Sequence, residues 1–214
     1  MASNTPPFAL TRCKVEDMEA VVAVAYQCFP EDIRRIYMRC RSTADLAKIR
    51  EKYVKSMREN PADIWIAVKD TNTGKYIAAS NWRVHLNGND GQKDAEEPPE
   101  WLKGEELEMS RAVKSRASKA RAESLPGPYV HLHMCFTGSN YRRRGAAAMM
   151  LQWGCDFADQ LFLPGWLHAS AQGNFLYKQF GFYDFEVVDQ ASGGGVNMKR
   201  DARTDPVMGG KPEV

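Results

Sequence analysis

Arg142-Arg143-Arg144-Gly145-Ala146-Ala147 lies between a run that reads as a strand and a long run that reads as a helix. A helix N-terminus offers unpaired N–H groups and the positive end of the helix dipole. Gly145 and the two alanines let a ligand approach the backbone closely, a combination that suits a pyrophosphate. The same hexapeptide also fits a solvated basic turn whose small residues only pack. No Gly-Lys-Ser/Thr follows, which excludes a Walker A loop. Just upstream, His131-Leu132-His133 carries two imidazoles at strand spacing. Alternation puts both on one face and Val130, Leu132 and Met134 on the other. Histidine is the side chain best placed to accept a proton near pH 7. Each of the two is also compatible with a partly buried, hydrogen-bonded strand residue.

These residues need a scaffold, and the sequence supplies an alternation of short strands and helices. Tyr129 to Thr137 reads as a strand, Gly138 to Arg143 as a polar turn, and Arg144 to about Leu161 as a helix. Upstream, Phe8 to Arg12 reads as a strand and Val15 to Cys28 as a helix broken by Phe29-Pro30-Glu31-Asp32. Ser42 or Thr43 caps a second helix to about Arg58. Ile64 to Lys69 and Lys75 to Val84 form a hairpin around Asp70-Thr71-Asn72-Thr73-Gly74. Downstream come a strand from Trp166 to Ala169, a helix from Asn174 to Phe180 and a strand from Phe182 to Val188. A turn at Gly193-Gly194-Gly195 leads to a last strand, Val196 to Lys199. The order predicts an α/β (α+β) domain, a mixed central sheet flanked by helices. One domain spanning 1–214 is expected, with an inserted loop and helix at 87–128 and a frayed tail from 201.

Composition narrows the partners. The net charge is only +2, too small to imply a nucleic-acid or membrane partner, and no apolar run is long enough to span a bilayer. Arg111, Lys114, Arg116, Lys119 and Arg121 lie on the inserted helix without interleaved aromatics, which fits a solvated helix or one lying over a cleft. Met1 to Phe8 shows no secretory pattern. Cys13, Cys28, Cys40, Cys135 and Cys155 form neither a CxxC nor a Cys/His ligand cluster. No metal is expected, and reduced thiols in a cytoplasmic protein are the simplest reading. Trp82, Trp101, Phe29 and Tyr37 fit either an acceptor pocket or ordinary core.

Arg142-x-x-Gly145-x-Ala147 matches the Gln/Arg-x-x-Gly-x-Gly/Ala signature of the GNAT N-acetyltransferase superfamily. Downstream, Ala169-Ser170-x-x-Gly173-x-x-Leu176-Tyr177-x-x-Phe180-Gly181-Phe182 resembles the closing strand-helix-strand of that superfamily. The resemblance covers residues 129–188, and the two motifs in this order are more specific than either alone. It implies that main-chain groups of Cys135, Phe136 and Thr137 run beside the pantetheine of acetyl-CoA. Arg142, Arg143, Arg144, Gly145, Ala146 and Ala147 would hold its pyrophosphate. Ser170 falls where many members carry a cofactor-contacting Asn; a hydroxyl replaces one hydrogen bond of that amide, not both functions. Tyr177 occupies the position that gives a proton to the departing thiolate. The histidine pair is similar to the His-x-His of arylalkylamine N-acetyltransferases, at the same distance before the loop. His131 also coincides with the glutamate base of histone-type members.

The expectation is therefore an acyl-CoA-dependent N-acetyltransferase that moves an acetyl group to a primary amine of a small molecule. A monomer or homodimer would form a ternary complex, with direct attack and no acyl-enzyme. His131 and His133 would take the amine proton, and the main-chain role implied for Cys135 argues against a thiol nucleophile. A peptide or protein acetyltransferase, or a non-catalytic acyl-CoA-binding protein, would keep the same loop. His168 reads as a strand residue and His85 as a solvated strand end.

Overall fold

The computed structural model describes residues 7–87, 98–188 and 194–203. Its strands are β1 (Phe8–Arg12), β2 (Asp63–Asp70), β3 (Tyr76–His85), β4 (Tyr129–Thr137), β5 (Gly165–Ala169), β6 (Tyr183–Val187) and β7 (Val196–Arg200). They form one sheet in the order β1-β2-β3-β4-β5-β7-β6. Hairpin and long-loop connections leave every neighbouring pair antiparallel except β4 and β5. A helix crosses over between these two, so they run parallel.

The helices are α1 (Met18–Cys28), α2 (Glu31–Ile33), α3 (Leu46–Glu59), α4 (Gly104–Ser124), α5 (Ala146–Gln160) and α6 (Asn174–Lys178). α1 buries Met18, Val21, Val22 and Ala25, an i, i+3, i+4, i+7 stripe. With Ile49 and Tyr53 of α3 it covers Trp65, Ala67, Ala79 and Phe136 on one face of the sheet. α5 covers the other face, setting Met150, Leu151, Cys155 and Ala158 against Trp82, Val130, Leu132, Leu167 and Met198. The mixed sheet flanked by helices agrees with the expected fold class.

Several boundaries differ from the expectation. Val15–Asp17 is a separate tight turn, and α1 starts at Met18. Ser42 does cap the turn that leads into α3, accepting from Ala44 N at 3.3 Å. Pro30 does more than break α1. It stands at the N-cap of α2, and Glu31 and Asp32 occupy a first turn where negative charge is favoured. A π-helical turn over Arg34–Met38 follows. α5 starts at Ala146, leaving Arg144 and Gly145 in the loop. The turn residue Gly193, the inserted loop over 88–97 and the tail from 204 lie outside the described residues.

α4 is not simply solvated. Its N-terminal end is tied to the α2 region by a two-point ion pair, Arg35 with Glu106 at 2.6 Å on both nitrogens, and by Ser110 Oγ donating to Ile36 O. Its C-terminal end packs Ala120, with the following Leu125, on Tyr129 and Trp166. The inserted helix thereby roofs the β4–β5 half of the α1–α3 face.

Candidate active site

β4 pairs with β5 only from Val130↔Gly165 to Leu132↔Leu167. β4 then runs on to Thr137, so the two strands part and the β5-facing edge of β4 carries no strand beyond Leu132. Cys135, Phe136 and Thr137 lie in this stretch of β4, beyond its last pair with β5. The Thr137 carbonyl is partly engaged, accepting from Arg142 Nε at 3.3 Å.

A bulge in β4 adjusts the faces. Asn81 pairs with Met134 and Trp82 with Leu132, so His133 is the extra residue between the two pairs. Alternation is reversed beyond it. Val130 and Leu132 face α5, whereas Met134 and Phe136 face α1 and α3, and Tyr53 Oη contacts Met134 Sδ at 3.3 Å. The expectation that Met134 shares a face with Val130 and Leu132 is corrected by this one unpaired residue. Cys135 turns toward α5, where its thiol shares a hydrogen bond with the Tyr177 hydroxyl.

Tyr177 is thus placed over the open edge of β4. Gly173 makes room for it: a Cβ there would lie 3.0 Å from the tyrosine ring. Arg200 fixes the corner that carries α6, donating to Phe180 O at 3.0 Å and, through both terminal nitrogens, to Asp159 at 2.6 and 2.7 Å. Burial raises the Tyr177 pKa well above 10, and Cys135 raises it further. Burial pushes the Cys135 thiol up to about 12, partly countered by Tyr177. The phenol therefore holds its proton at neutral pH and the cysteine is a neutral thiol, unsuited to nucleophilic attack. Ser170 is exposed, and its carbonyl closes the turn into α6 by accepting from Gly173 N and Asn174 N. Its hydroxyl oxygen would lie 3.5 Å from a Cβ at Gly173, close beneath Tyr177.

The loop before α5 takes its shape from two left-handed residues. Gly145 sits at φ 93 as the N-cap of α5, and no side chain caps the helix. Nothing lies within 4 Å of where its Cβ would be. Arg143 is also left-handed, at φ 61. Glycine supplies no capping side chain to the first N–H groups of α5, which a helix N-terminus leaves without an intrahelical acceptor. The arginine side chains are less directly involved. Arg142 turns back to the carbonyls of Thr137 and Cys28, and Arg144 stacks on Phe8 at 5.0 Å and Tyr141 at 5.6 Å. Ala146 is buried under the sheet, and Ala147 packs against the same core.

The two histidines meet on the opposite face from α5, with ring centroids 5.4 Å apart. His131 is buried and His133 keeps an exposed surface. Both titrate well below the ordinary histidine value. Desolvation is the first cause for each; Arg121, His133, His85 and Arg83 then act on His131, and Arg83, Lys52, Arg121 and Lys114 on His133. His133, with its exposed surface, is less fully desolvated than the buried His131. Both rings are neutral near pH 7 and have a lone pair for a proton. Arg83, opposite His131 across β3–β4, is held by the buried Asp63 at 3.6 Å and by Asn81 Oδ1 at 3.2 Å. Ser56 and Asn81 also donate to Asp63.

Two further histidines belong here. His85 stacks on Tyr129 at 4.6 Å and lies 5.8 Å from His131, so it is half-buried in the cluster rather than solvated. Its position two residues from Arg83 on β3 placed it on this face, a signal available once the β3–β4 register is known. His168 lies on the β5 side. Trp82 is core: it is 1% exposed and faces α5, with Nε1 donating to Ser80 Oγ at 3.0 Å. Phe29 packs edge-on against Phe136, and Trp101 carries Arg35 and Arg41 over its ring. Among the described residues no group of three or more acidic, histidine or cysteine side chains is arranged to hold a metal. No helix among them is long and apolar enough to cross a membrane.

No protein-family model matches the sequence, and no curated protein matches it. Solved structures do match. A mosquito arylalkylamine N-acetyltransferase like 5b superposes with TM-score 0.64 and 11% identity, over 90% of this chain and 99% of that one. A Corynebacterium glutamicum structure described as histone acetyltransferase HPA2 and related acetyltransferase gives 0.60 and 17%, over 94% and 100%. PaiA N-acetyltransferase from Thermoplasma acidophilum, in complex with coenzyme A, gives 0.52 and 14%, over 91% and 98%. The chain has the GNAT acetyltransferase fold.

Proposed function

We propose that this protein is an N-acetyltransferase that moves an acetyl group from acetyl-CoA to a primary amine of a small molecule, within a ternary complex. The observation that carries the reading is one convergence. The uncapped N-terminus of α5, the open edge of β4 and the proton-bearing Tyr177 line one opening, and two neutral histidines lie on the other face of the same strand.

The fit to acetyl-CoA rests on Gly145, left-handed at φ 93 at the start of α5, with nothing within 4 Å of where a Cβ would lie. When bound, acetyl-CoA supplies an activated thioester. Main-chain groups of Cys135, Phe136 and Thr137 would hold its pantetheine arm in the β4–β5 opening. The N–H groups from Arg143 to Ala147 would hold the pyrophosphate, that of Arg142 being donated to Ser139 O at 3.4 Å. An amine is protonated in neutral water, and His133, directly or through water with His131 behind it, accepts its proton. Tyr177 holds the proton that the leaving sulfur requires. Cys135, neutral and hydrogen-bonded to Tyr177, leaves direct attack by the amine as the route.

α4 favours a small acceptor. It crosses the histidine face and is bolted at one end to the α2 region, which supports a small acceptor over an extended peptide. One neighbour is described as acting on arylalkylamines and another on histones, so the fold alone serves both kinds of acceptor. We further propose a single domain working in the cytoplasm as a monomer or homodimer, without nucleic-acid or membrane partners. The test is mass-spectrometric: incubate the protein with acetyl-CoA and a panel of primary amines and basic peptides. Acetylated small amines with matching release of free CoA are expected. Acetylated peptides only would refute the small-molecule assignment, and no product despite acetyl-CoA binding would refute the activity.

A further inference from the structure

His168 is the first residue of β5 beyond its last pair with β4. Leu167 and Ala169 belong to the core under α5, so alternation turns His168 to the other face, that of Trp166, α4 and the histidine pair. It is exposed there, on the β5 wall of the opening. One side of its ring is not left to solvent. Nδ1 lies 2.9 Å from Asn197 Oδ1, Asn197 Nδ2 donates to Glu186 Oε2 at 2.8 Å, and Arg116 of α4 reaches Glu186 Oε1 at 3.1 Å.

This chain has a direction. A carboxylate oxygen only accepts, so the Asn197 atom facing Glu186 is the amide nitrogen. The atom facing His168 is then the amide oxygen, which also only accepts. His168 Nδ1 must therefore carry a hydrogen, and in the neutral ring Nε2 then keeps its lone pair. Asn197 is 2% exposed, so reversing its amide would bury an acceptor against a carboxylate. Gly195, at φ 89, packs close to the Nε2 side of the ring: a Cβ there would lie 2.7 Å from Nε2 and 2.6 Å from Ala169 O, so no larger residue fits. The ring is tied at Nδ1, while His168 as a residue remains exposed beside the opening.

We propose that His168 is a specificity-determining residue: its Nε2 accepts a hydrogen bond from an N–H or O–H of the acceptor, which is therefore an amine carrying a second donor group. The ligand part rests on the acetyl transfer proposed above; the tautomer does not.

Two measurements on the full chain test it. Two-bond 15N–1H correlation of the imidazoles, assigned with His168→Phe, should show His168 with Nδ1 protonated and Nε2 unprotonated. Asn197→Leu should shift it toward the Nε2–H form. A wild-type His168 protonated on Nε2 would overturn the proposal. In the second measurement, amine pairs differing by one donor are compared: 1,4-diaminobutane with butylamine, tyramine with phenethylamine, and ethanolamine with ethylamine. Wild type should favour the donor-bearing member in kcat/KM. His168→Phe, and separately Asn197→Leu, should reduce that preference about tenfold, with KM for acetyl-CoA unchanged. An unaltered preference in variants with wild-type melting curves refutes the contact. If acetyl-CoA binds and no amine reacts, the ligand part falls with the proposed activity, while the spectrum still decides the tautomer.

Discussion

Gly154→Ala is expected to destabilise the protein although helix propensity alone points the other way. Gly154 lies mid-helix in α5, where alanine is favoured over glycine by about 1 kcal/mol. Its Cβ, however, would lie 2.1 Å from Trp82 Cζ2 and 2.3 Å from Cε2 and Cη2. A normal carbon–carbon contact needs about 3.5–4.0 Å, so helix and indole must part by more than 1 Å. Trp82 cannot yield cheaply. It is 1% exposed, its Nε1–H is donated to Ser80 Oγ at 3.0 Å, and Trp153 packs edge-on against it at 6.5 Å. Overpacking of this kind costs about 1–3 kcal/mol. Stranding the indole N–H costs about another 1–3 kcal/mol if the ring rotates. Against the propensity gain, a net loss of about 1–5 kcal/mol is expected when the ring rotates, to be read from urea unfolding at constant m-value. The same displacement moves the N-terminus of α5, so acetyl-CoA affinity should fall as well. A variant as stable as wild type, with unchanged affinity, would show that α5 is not held against Trp82 in this way.

Other perturbations separate the groups in the opening. Tyr177→Phe should lower kcat by about 10²–10⁴-fold with little change in acetyl-CoA affinity, since its hydroxyl acts on the leaving sulfur; undiminished turnover where chemistry limits the rate removes it from the mechanism. The histidine pair is depressed below the ordinary value of about 6.5, so the basic, active form is already dominant at neutrality. Activity should rise with pH through an inflection below about 6.5, and His131→Gln with His133→Gln should slow turnover and remove that inflection; an unchanged profile makes the pair structural. The same depression has a sign for stability. The unfolded chain binds the extra protons, so stability should fall as pH drops below about 6.5, less steeply in the double variant when measured by denaturant at pH 5 and pH 7.

The region from β4 through α5 was readable because its signals are local. A strand, a polar turn with Gly145 and a helix with a regular apolar stripe follow one another within one stretch of chain. The fold class followed from the same patterning. Non-local geometry was not readable. The bulge at His133 exists only relative to β3, so simple alternation misplaced Met134. Trp82 looked equally suited to pocket or core until α5 supplied Gly154 as its counterpart. The guanidinium groups of Arg142 and Arg144 are claimed by the carbonyls of Thr137 and Cys28 and by the rings of Phe8 and Tyr141. A basic triplet gives no hint of such partners. His168 acquires direction only through Asn197, Glu186 and Arg116, which are far from it in sequence.

The central claim is that acetyl-CoA seats between β4 and β5 with its pyrophosphate on the N-terminus of α5. Titration calorimetry of wild type, Gly145→Asn and Gly145→Asp with acetyl-CoA tests it most directly. Asn tolerates the left-handed backbone at Gly145 and adds no charge, whereas Asp puts a similar side chain and a negative charge at the phosphates. Wild type should bind, and at one hundred times its Kd the ligand should add about 2.7 kcal/mol of apparent stability. Gly145→Asn should bind more weakly, and a folded Gly145→Asp should not bind. No binding by wild type at millimolar acetyl-CoA, or equal affinity in the folded Asp variant, would contradict the account.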